Sequence, residues 1–193
     1  MSIDYGEFFN VAHIEPQSHI YGPGSRFVVW FQGCSLGCSG CWNQRMWSFA
    51  ARTLIHRQEL FEKIVQTPNL HGISLLGGEP LQQSQTIWLL EKIRRETELT
   101  IFLYTGYNLF ELKNNDEWSV VLRDCDVVVT GRYKESLRDT NLQWRGSKNQ
   151  ELFYPPLSRI SEQPTQTNEV EVIIDATGKI TVLGYPETLT DLI

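Results

Sequence analysis

Cys34, Cys38 and Cys41 fall within one glycine-rich stretch, Gln32-Gly33-Cys34-Ser35-Leu36-Gly37-Cys38-Ser39-Gly40-Cys41. The spacing is C-x3-C-x2-C. The last pair sits about 4.5 Å apart along a helical turn, and the step from Cys34 to Cys38 spans at most about 14 Å. Gly33, Gly37 and Gly40 let such a loop curl around a compact object. Three thiolates can hold three irons of a [4Fe–4S] cluster, whose full set of protein ligands is four. The open iron is then free to take a substrate or cofactor. Two other readings stand beside this one. A structural Cys3His zinc site needs a histidine, and the nearest downstream is His56. Redox-active thiols without metal are the other. The fourth cysteine, Cys125, precedes the apolar run Val127-Val128-Val129 and reads as a small core residue.

The elements that must position this loop alternate between strand and helix. Phe27-Val28-Val29-Trp30-Phe31 is a continuous apolar run of the kind that forms a buried parallel strand, and the cysteine loop follows it. A helix over Gln58 to Gln66 puts Leu60, Phe61, Ile64 and Val65 on one face. Ile73 to Leu76 predicts a second strand, followed by Gly77-Gly78-Glu79-Pro80 and a helix to about Thr97 with Ile87, Leu90 and Ile93 inward. Thr100 to Tyr104 predicts a third strand, Leu109 to Leu122 a helix broken at Asn114-Asn115-Asp116, and Asp126 to Thr130 a fourth strand. Strand–helix repetition of this sort implies a largely parallel sheet with right-handed crossovers. Ligands in such sheets sit at the carboxyl ends of the strands. Four unusual loops therefore converge on one edge: Gly33–Cys41, Gly77–Pro80, Thr105–Tyr107 and Gly131–Tyr133.

After this unit, Lys134 to Gln150 is polar and loop-like, and Pro155-Pro156 and Ser161 to Thr167 suggest surface loop. Glu169 to Asp175, the turn Ala176-Thr177-Gly178-Lys179, and Ile180 to Tyr185 predict a terminal hairpin. The expected fold is α/β: a partial (β/α) barrel with a mostly parallel sheet and a C-terminal β-hairpin extension. Residues 1–193 are read as one domain, with about 153–193 as its tail.

The chain has 193 residues, of which 41% are hydrophobic and 21% charged, with a formal net charge of -6. That composition is globular rather than disordered. A chain this long buries enough surface to need no disulfides. The acidic balance argues against gripping nucleic acid by its phosphates. No apolar run approaches the roughly 20 residues of a membrane span. The N-terminal Met1-Ser2-Ile3-Asp4-Tyr5-Gly6-Glu7 lacks a basic n-region and an apolar h-region, so the cytosol is the expected compartment.

C-x3-C-x2-C after the first strand of a parallel α/β unit resembles the radical S-adenosylmethionine superfamily. That resemblance implies a [4Fe–4S] cluster whose open iron chelates the amino and carboxylate groups of the cofactor's methionine moiety. It also implies reductive cleavage of the sulfonium to a 5′-deoxyadenosyl radical, which abstracts hydrogen. Gly77-Gly78-Glu79-Pro80 is similar to the superfamily's GGEP segment, which binds the methionine amino group, and Tyr104-Thr105-Gly106 to its next cofactor contact; Tyr107 follows as either a contact or a core ring. Gly22-Pro23-Gly24-Ser25-Arg26, Cys41-Trp42-Asn43 with Trp47, and Arg145-Gly146-Ser147-Lys148-Asn149-Gln150 sharpen the likeness. Together these motifs, across residues 20 to 150, resemble the activating proteins of anaerobic, class III ribonucleotide reductases. The resemblance implies iron ligation by Cys34, Cys38 and Cys41. Cofactor contacts would come from Trp42, Asn43, Gly77, Gly78, Glu79, Pro80, Tyr104, Thr105 and Gly106. The implied partners are a glycyl radical enzyme as substrate and a flavodoxin or ferredoxin as electron donor.

Two departures stand out. Thr130 occupies a segment where that group usually carries an acidic residue, with Asp126 at the other end of the strand. The tail from Phe153 is longer than a minimal activating protein needs. Arg26, Arg132 and Arg145 are candidates for carboxylate or phosphate binding or for salt bridges. Fold and cofactor do not fix the substrate. A radical enzyme acting directly on a small molecule or peptide is the alternative function, and a non-enzymatic, metal-stabilised binding module is the alternative class.

Overall fold

The computed structural model describes residues 4–165, 167 and 169–184. The N-terminal Met1-Ser2-Ile3, Gln166 of the expected surface loop, the hairpin's expected end at Tyr185 and the rest of the tail to Ile193 lie outside the described residues.

Among the described residues, nine strands form two sheets: β1 (Phe8–Ser18), β2 (Arg26–Phe31), β3 (Thr53–His56), β4 (Gly72–Gly77), β5 (Thr100–Tyr104), β6 (Val127–Thr130), β7 (Glu151–Phe153), β8 (Val170–Ile174) and β9 (Ile180–Gly184). Four helices accompany them: α1 (Arg57–Gln66), α2 (Thr86–Glu96), α3 (Leu109–Lys113) and α4 (Val121–Asp124). The large sheet runs β3-β1-β2-β4-β5-β6-β7, and β8 pairs with β9 in a second sheet. Its four central strands, β2, β4, β5 and β6, are parallel. They are the four strands expected from sequence, and they carry the loops expected to converge. Both margins are antiparallel: β1 against β2 and β3, and β7 against β6.

The central strands are mostly apolar because both of their faces are buried. Phe27, Val29 and Phe31 of β2 point into the helix-side core, together with Ile73 and Leu75 of β4 and Ile101 and Leu103 of β5. Val28, Trp30 and Leu76 point to the opposite face, where Leu183 of β9 meets them. Among the described residues, none of α1 to α4 contributes to the apolar cluster on this face, and the hairpin covers part of it. Cys125 is fully buried in the helix-side core, as expected. Val65 departs from its expected face and is exposed, whereas Leu60, Phe61 and Ile64 are buried.

The margins were not legible in the sequence. β1 carries register irregularities between Val11 and His13 and between Glu15 and Ser18, and these disrupt the two-residue period on which strand recognition rests. β3 and β7 have four and three residues. The helix expected directly after Pro80 is two elements, a 3-10 turn over Pro80–Gln82 and then α2.

Asp126 fastens the tail. Its carboxylate accepts hydrogen bonds from the Arg159 backbone (2.7 Å) and side chain (3.1 and 2.9 Å), from the Ile101 N–H (2.8 Å) and from Arg94 (3.2 Å). Burial pushes the carboxyl up, but the Arg159 bonds outweigh it and the net position is below the ordinary value. The acidic residue at the far end of the strand from Thr130 is therefore a structural anchor.

Candidate functional site

The site is built where β2, β4, β5 and β6 end. After Phe31 the chain turns through Gln32 and Gly33 into the cysteine loop. The loop is tied down by its own continuation: Gly33 N–H donates to the Met46 carbonyl (2.7 Å) and Cys34 N–H to that of Trp47 (3.0 Å). Cys41 N–H donates to the Cys38 carbonyl at 3.1 Å, closing a tight turn through Gly40 at φ +69° in place of the helical turn that their spacing allows. Next to it, Gly78 N–H reaches the Phe31 carbonyl (2.8 Å) and Glu79 N–H that of Gly33 (2.9 Å). A Cβ on Gly78 would collide with the Gly33 backbone, and one on Gly77, at φ +110°, with that of Phe31. The two glycines are thus required for the strand ends to meet. Asn43 closes the arrangement from the other side, donating from Nδ2 to the Gly77 carbonyl at 3.3 Å.

Glu79 is buried at the centre. Its Oε1 accepts from the Leu81 N–H (3.0 Å) and Thr105 Oγ1 (2.8 Å), and its Oε2 from the Gly106 N–H (2.8 Å). Burial pushes the carboxyl up to about 7, although all three donors pull the other way. The thiols share this environment. Burial raises Cys34 to about 11, with Glu79, Cys38 and Cys41 adding to the rise; Cys38 is raised mainly by burial and by Cys41. An acid and three thiols crowded together favour cationic occupants: metal ions that hold thiolates, and an ammonium.

Cys34, Cys38, Cys41, Gly77, Gly78, Glu79, Tyr104, Thr105 and Gly106 all line one cavity of about 170 Å³. A larger cavity of about 470 Å³ adjoins it, sharing Cys41, Asn43, Leu76, Tyr104, Tyr133 and Gln150. Trp42 borders only the larger one. Pro80 lines neither; it is buried and opens the 3-10 turn. Among the described residues, no three His, Cys, Asp or Glu side chains converge as they would around one metal ion. The three thiols instead ring a cavity, an arrangement that suits a cluster, whose irons are each held by a separate thiolate.

The chain matches the family model of the 4Fe-4S single cluster domain over residues 20–153. It is also 35% identical to an anaerobic ribonucleoside-triphosphate reductase-activating protein of Vibrio cholerae over 146 residues, covering 70% of this chain and 91% of that protein. The corresponding protein of Haemophilus influenzae is 33% identical over 149 residues (73% and 95%), and that of Enterobacteria phage T4 31% over 150 residues (75% and 93%). This chain belongs to the family of anaerobic ribonucleoside-triphosphate reductase-activating proteins. Its cysteine loop lies within the 4Fe-4S single cluster domain.

The family's likeness in sequence left the arginines open, and they differ in role. Arg26 is fully buried beneath the sheet, donating to Ser74 Oγ, Thr100 Oγ1 and the carbonyls of Pro23, Ile73 and Thr100. It holds strands together, and its donors are spent within the chain on hydroxyl and carbonyl oxygens rather than on a carboxylate. Arg132 makes a two-pronged ion pair with Glu111 (2.7 and 2.9 Å) and brackets the Gly106 loop. Arg145 lines the larger cavity and donates to the Gln150 carbonyl at 3.3 Å. Thr130 is buried at the end of β6, with Oγ1 3.5 Å from the Glu151 carbonyl, so it serves the β6–β7 junction.

Two functional supports went unnoticed in the sequence. Gln82 accepts from the Ser35 N–H (2.9 Å) and donates to Ser35 Oγ (2.9 Å) and the Tyr107 hydroxyl (2.8 Å). Gln83 donates to the Gln32 carbonyl (2.8 Å) and accepts from the Asn10 N–H (3.0 Å). Both glutamines are buried and clamp the cysteine loop to its neighbours. Their only sequence signal was a polar pair one residue beyond Pro80, after Leu81. Tyr107 lines neither cavity; it receives Gln82 and packs on Trp118 at 4.3 Å between ring centres.

Proposed function

We propose that this protein is a radical S-adenosylmethionine enzyme, one domain working in the cytoplasm, that installs a glycyl radical on an anaerobic ribonucleotide reductase. The observation that carries the reading is Glu79: a buried carboxylate wedged between the strand-end loops, in the same cavity as three thiols. Cys34, Cys38 and Cys41 each ligate one iron of a [4Fe–4S] cluster, and Cys125 ligates none. When bound, the cluster and S-adenosylmethionine would supply the chemistry, a one-electron reductive cleavage of the sulfonium.

The residues of the chain bind and orient. Glu79 accepts a hydrogen bond from an N–H of the cofactor's amino group, a charge-assisted bond made stronger by burial. Gly77 and Gly78 let backbone carbonyls approach the same group, and Thr105 and Gly106 fix the carboxylate's orientation. Tyr104, Asn43 and Trp42 border the space left for the nucleoside. Pro80 acts from behind by fixing the turn after Glu79. The electron comes from a flavodoxin or ferredoxin.

The test mixes the reconstituted, reduced protein with S-adenosylmethionine and the class III reductase of the same organism under anaerobic conditions. A glycyl doublet in the reductase's electron paramagnetic resonance spectrum is expected. Cofactor turnover on a small molecule, with no radical on the reductase, would overturn the activating role.

A further inference from the structure

The β8–β9 hairpin lies beyond the 20–153 family match. The bacterial and phage relatives are themselves covered over 91–95% of their length yet align with only 70–75% of this chain. The hairpin therefore lies outside the matched cluster domain. It sits on the site: Thr181, Val182, Leu183 and Gly184 line the larger cavity together with Cys41 and Asn43.

Four consecutive strand residues line that cavity, although their side chains alternate between two faces. The cavity is thus bordered by the backbone edge of β9. Hydrogen bonds fix which groups that edge presents. Asp175 N–H donates to the Lys179 carbonyl, so the 175–179 pair is bonded within the hairpin. Pairs alternate along an antiparallel ladder, and with Ile174 opposite Ile180 and Val172 opposite Val182, Ile180, Val182 and Gly184 direct their backbone groups away from β8. The Gly184 N–H does so visibly, donating to the Tyr21 hydroxyl at 2.8 Å. Val182 presents both its N–H and its carbonyl. Among the described residues, no strand pairs with this edge.

The same phase sets the side chains. Glu171, Ile173 and Leu183 face the large sheet, where Glu171 accepts from Ser18 Oγ at 2.6 Å and Leu183 is buried. Val170, Val172, Ile174 and Ile180 form an exposed apolar face on the other side. A free edge beside an uncovered apolar face is what strand addition uses. A nucleoside inside the cavity could meet the edge, but it could not reach the outer face.

We infer that the free edge of β9 pairs with an extended, glycine-bearing segment of the protein substrate, extending the hairpin to three strands beside the cysteine loop. This rests on the activating role proposed above and names how its substrate is held. A glycine suits such a segment because it lacks a side chain and can approach the site closely. The apolar outer face continues the contact onto the substrate protein. A two-stranded hairpin gains stability from a third strand, so binding and ordering of the edge reinforce each other.

Hydrogen exchange read at single amides tests the inference on the cluster-loaded, full-length protein. Saturating class III reductase should slow exchange at Val182 at least tenfold, while S-adenosylmethionine alone should not. In parallel, Val182→Pro removes the outward N–H without touching the β8 pairing. It should raise the reductase concentration needed for half-maximal glycyl radical by about three- to tenfold, the loss of one net hydrogen bond. If the variant does not fold, the exchange measurement on the unaltered protein decides alone. A radical that forms while Val182 exchange is unchanged overturns the strand pairing and leaves the activating role standing. Protection by the cofactor alone also overturns it, assigning the edge to the nucleoside. No radical with the unaltered protein removes the activating role, and the pairing with it.

Discussion

Glu79 Oε2 accepts a hydrogen bond from the Gly106 N–H at 2.8 Å, so the loop after β4 is locked to the loop after β5 by a single buried carboxylate. The same carboxylate receives Leu81 and Thr105, and every one of these donors belongs to the protein. Glu79 thus does two things at once: it joins adjacent strand ends and concentrates negative charge beside the thiols.

A pH dependence follows from its burial. The folded-state carboxyl titrates near 7, above its ordinary value of about 4.3. Proton-linked stability is fully present below the ordinary value and lost as pH rises through about 7. The cofactor-free protein should lose about 1–3 kcal/mol between pH 5 and pH 8 from this group. Urea midpoints of the unaltered protein and Glu79→Gln across that range check it: the difference between them should move in the variant's favour as pH rises. A constant difference would show that Glu79 stays charged throughout.

The cysteines divide into two classes. Anaerobically reconstituted Cys125→Ala should keep its full iron and sulfide content, because Cys125 is sealed in the helix-side core. It should lose stability by about 1 kcal/mol, the cost of a small cavity. Cys38→Ala should fail to retain a stable four-iron cluster. Iron and sulfide analysis with the visible spectrum reads both, and equal loss in the two variants would contradict the assignment.

Gly78→Ala tests the strand-end geometry. The added methyl meets the Gly33 backbone, which cannot move without displacing Cys34. Overpacking of this kind costs about 1–3 kcal/mol, and the shift should also lower cluster occupancy. Gly37→Ala is the comparison: a Cβ there meets nothing, so only its left-handed backbone, at φ +59°, is strained. Thermal midpoints and iron content should fall further for Gly78→Ala.

Asp126→Asn should loosen the tail. It removes the charge that gathers Arg159 and Arg94 and puts an amide nitrogen among five donors. A loss of about 2–4 kcal/mol is expected, since two cations lose a buried partner. The carboxyl lies below its ordinary value. Its contribution is therefore present above the ordinary carboxylate range and lost as pH falls through the folded-state value. The gap in urea midpoints between the unaltered protein and the variant should be widest near neutral pH and close in acid.

The central strands and their loops were readable because each run is apolar on both faces and ends in glycine. Phe27–Phe31, Ile73–Leu76 and Thr100–Tyr104 all fall within strands of the structure. The convergence of Cys34, Gly78, Glu79 and Thr105 followed from parallel topology alone. What escaped was set by distant partners. β1 is irregular where it pairs with β2, so its period is broken. Gln82 and Gln83 are polar residues made buried by contacts with Ser35, Tyr107 and Gln32. Arg26 carries a charge that only the cage of carbonyls around it explains. Side-chain hydrogen bonds across long sequence separations leave no local pattern.

The most direct test adds S-adenosylmethionine to the anaerobically reconstituted, dithionite-reduced protein and records its electron paramagnetic resonance spectrum, followed by chromatography of the products. Binding at the open iron beside Glu79 predicts a changed cluster signal and the appearance of 5′-deoxyadenosine, with both lost in Cys38→Ala. An unchanged spectrum and an intact cofactor would contradict a radical S-adenosylmethionine enzyme.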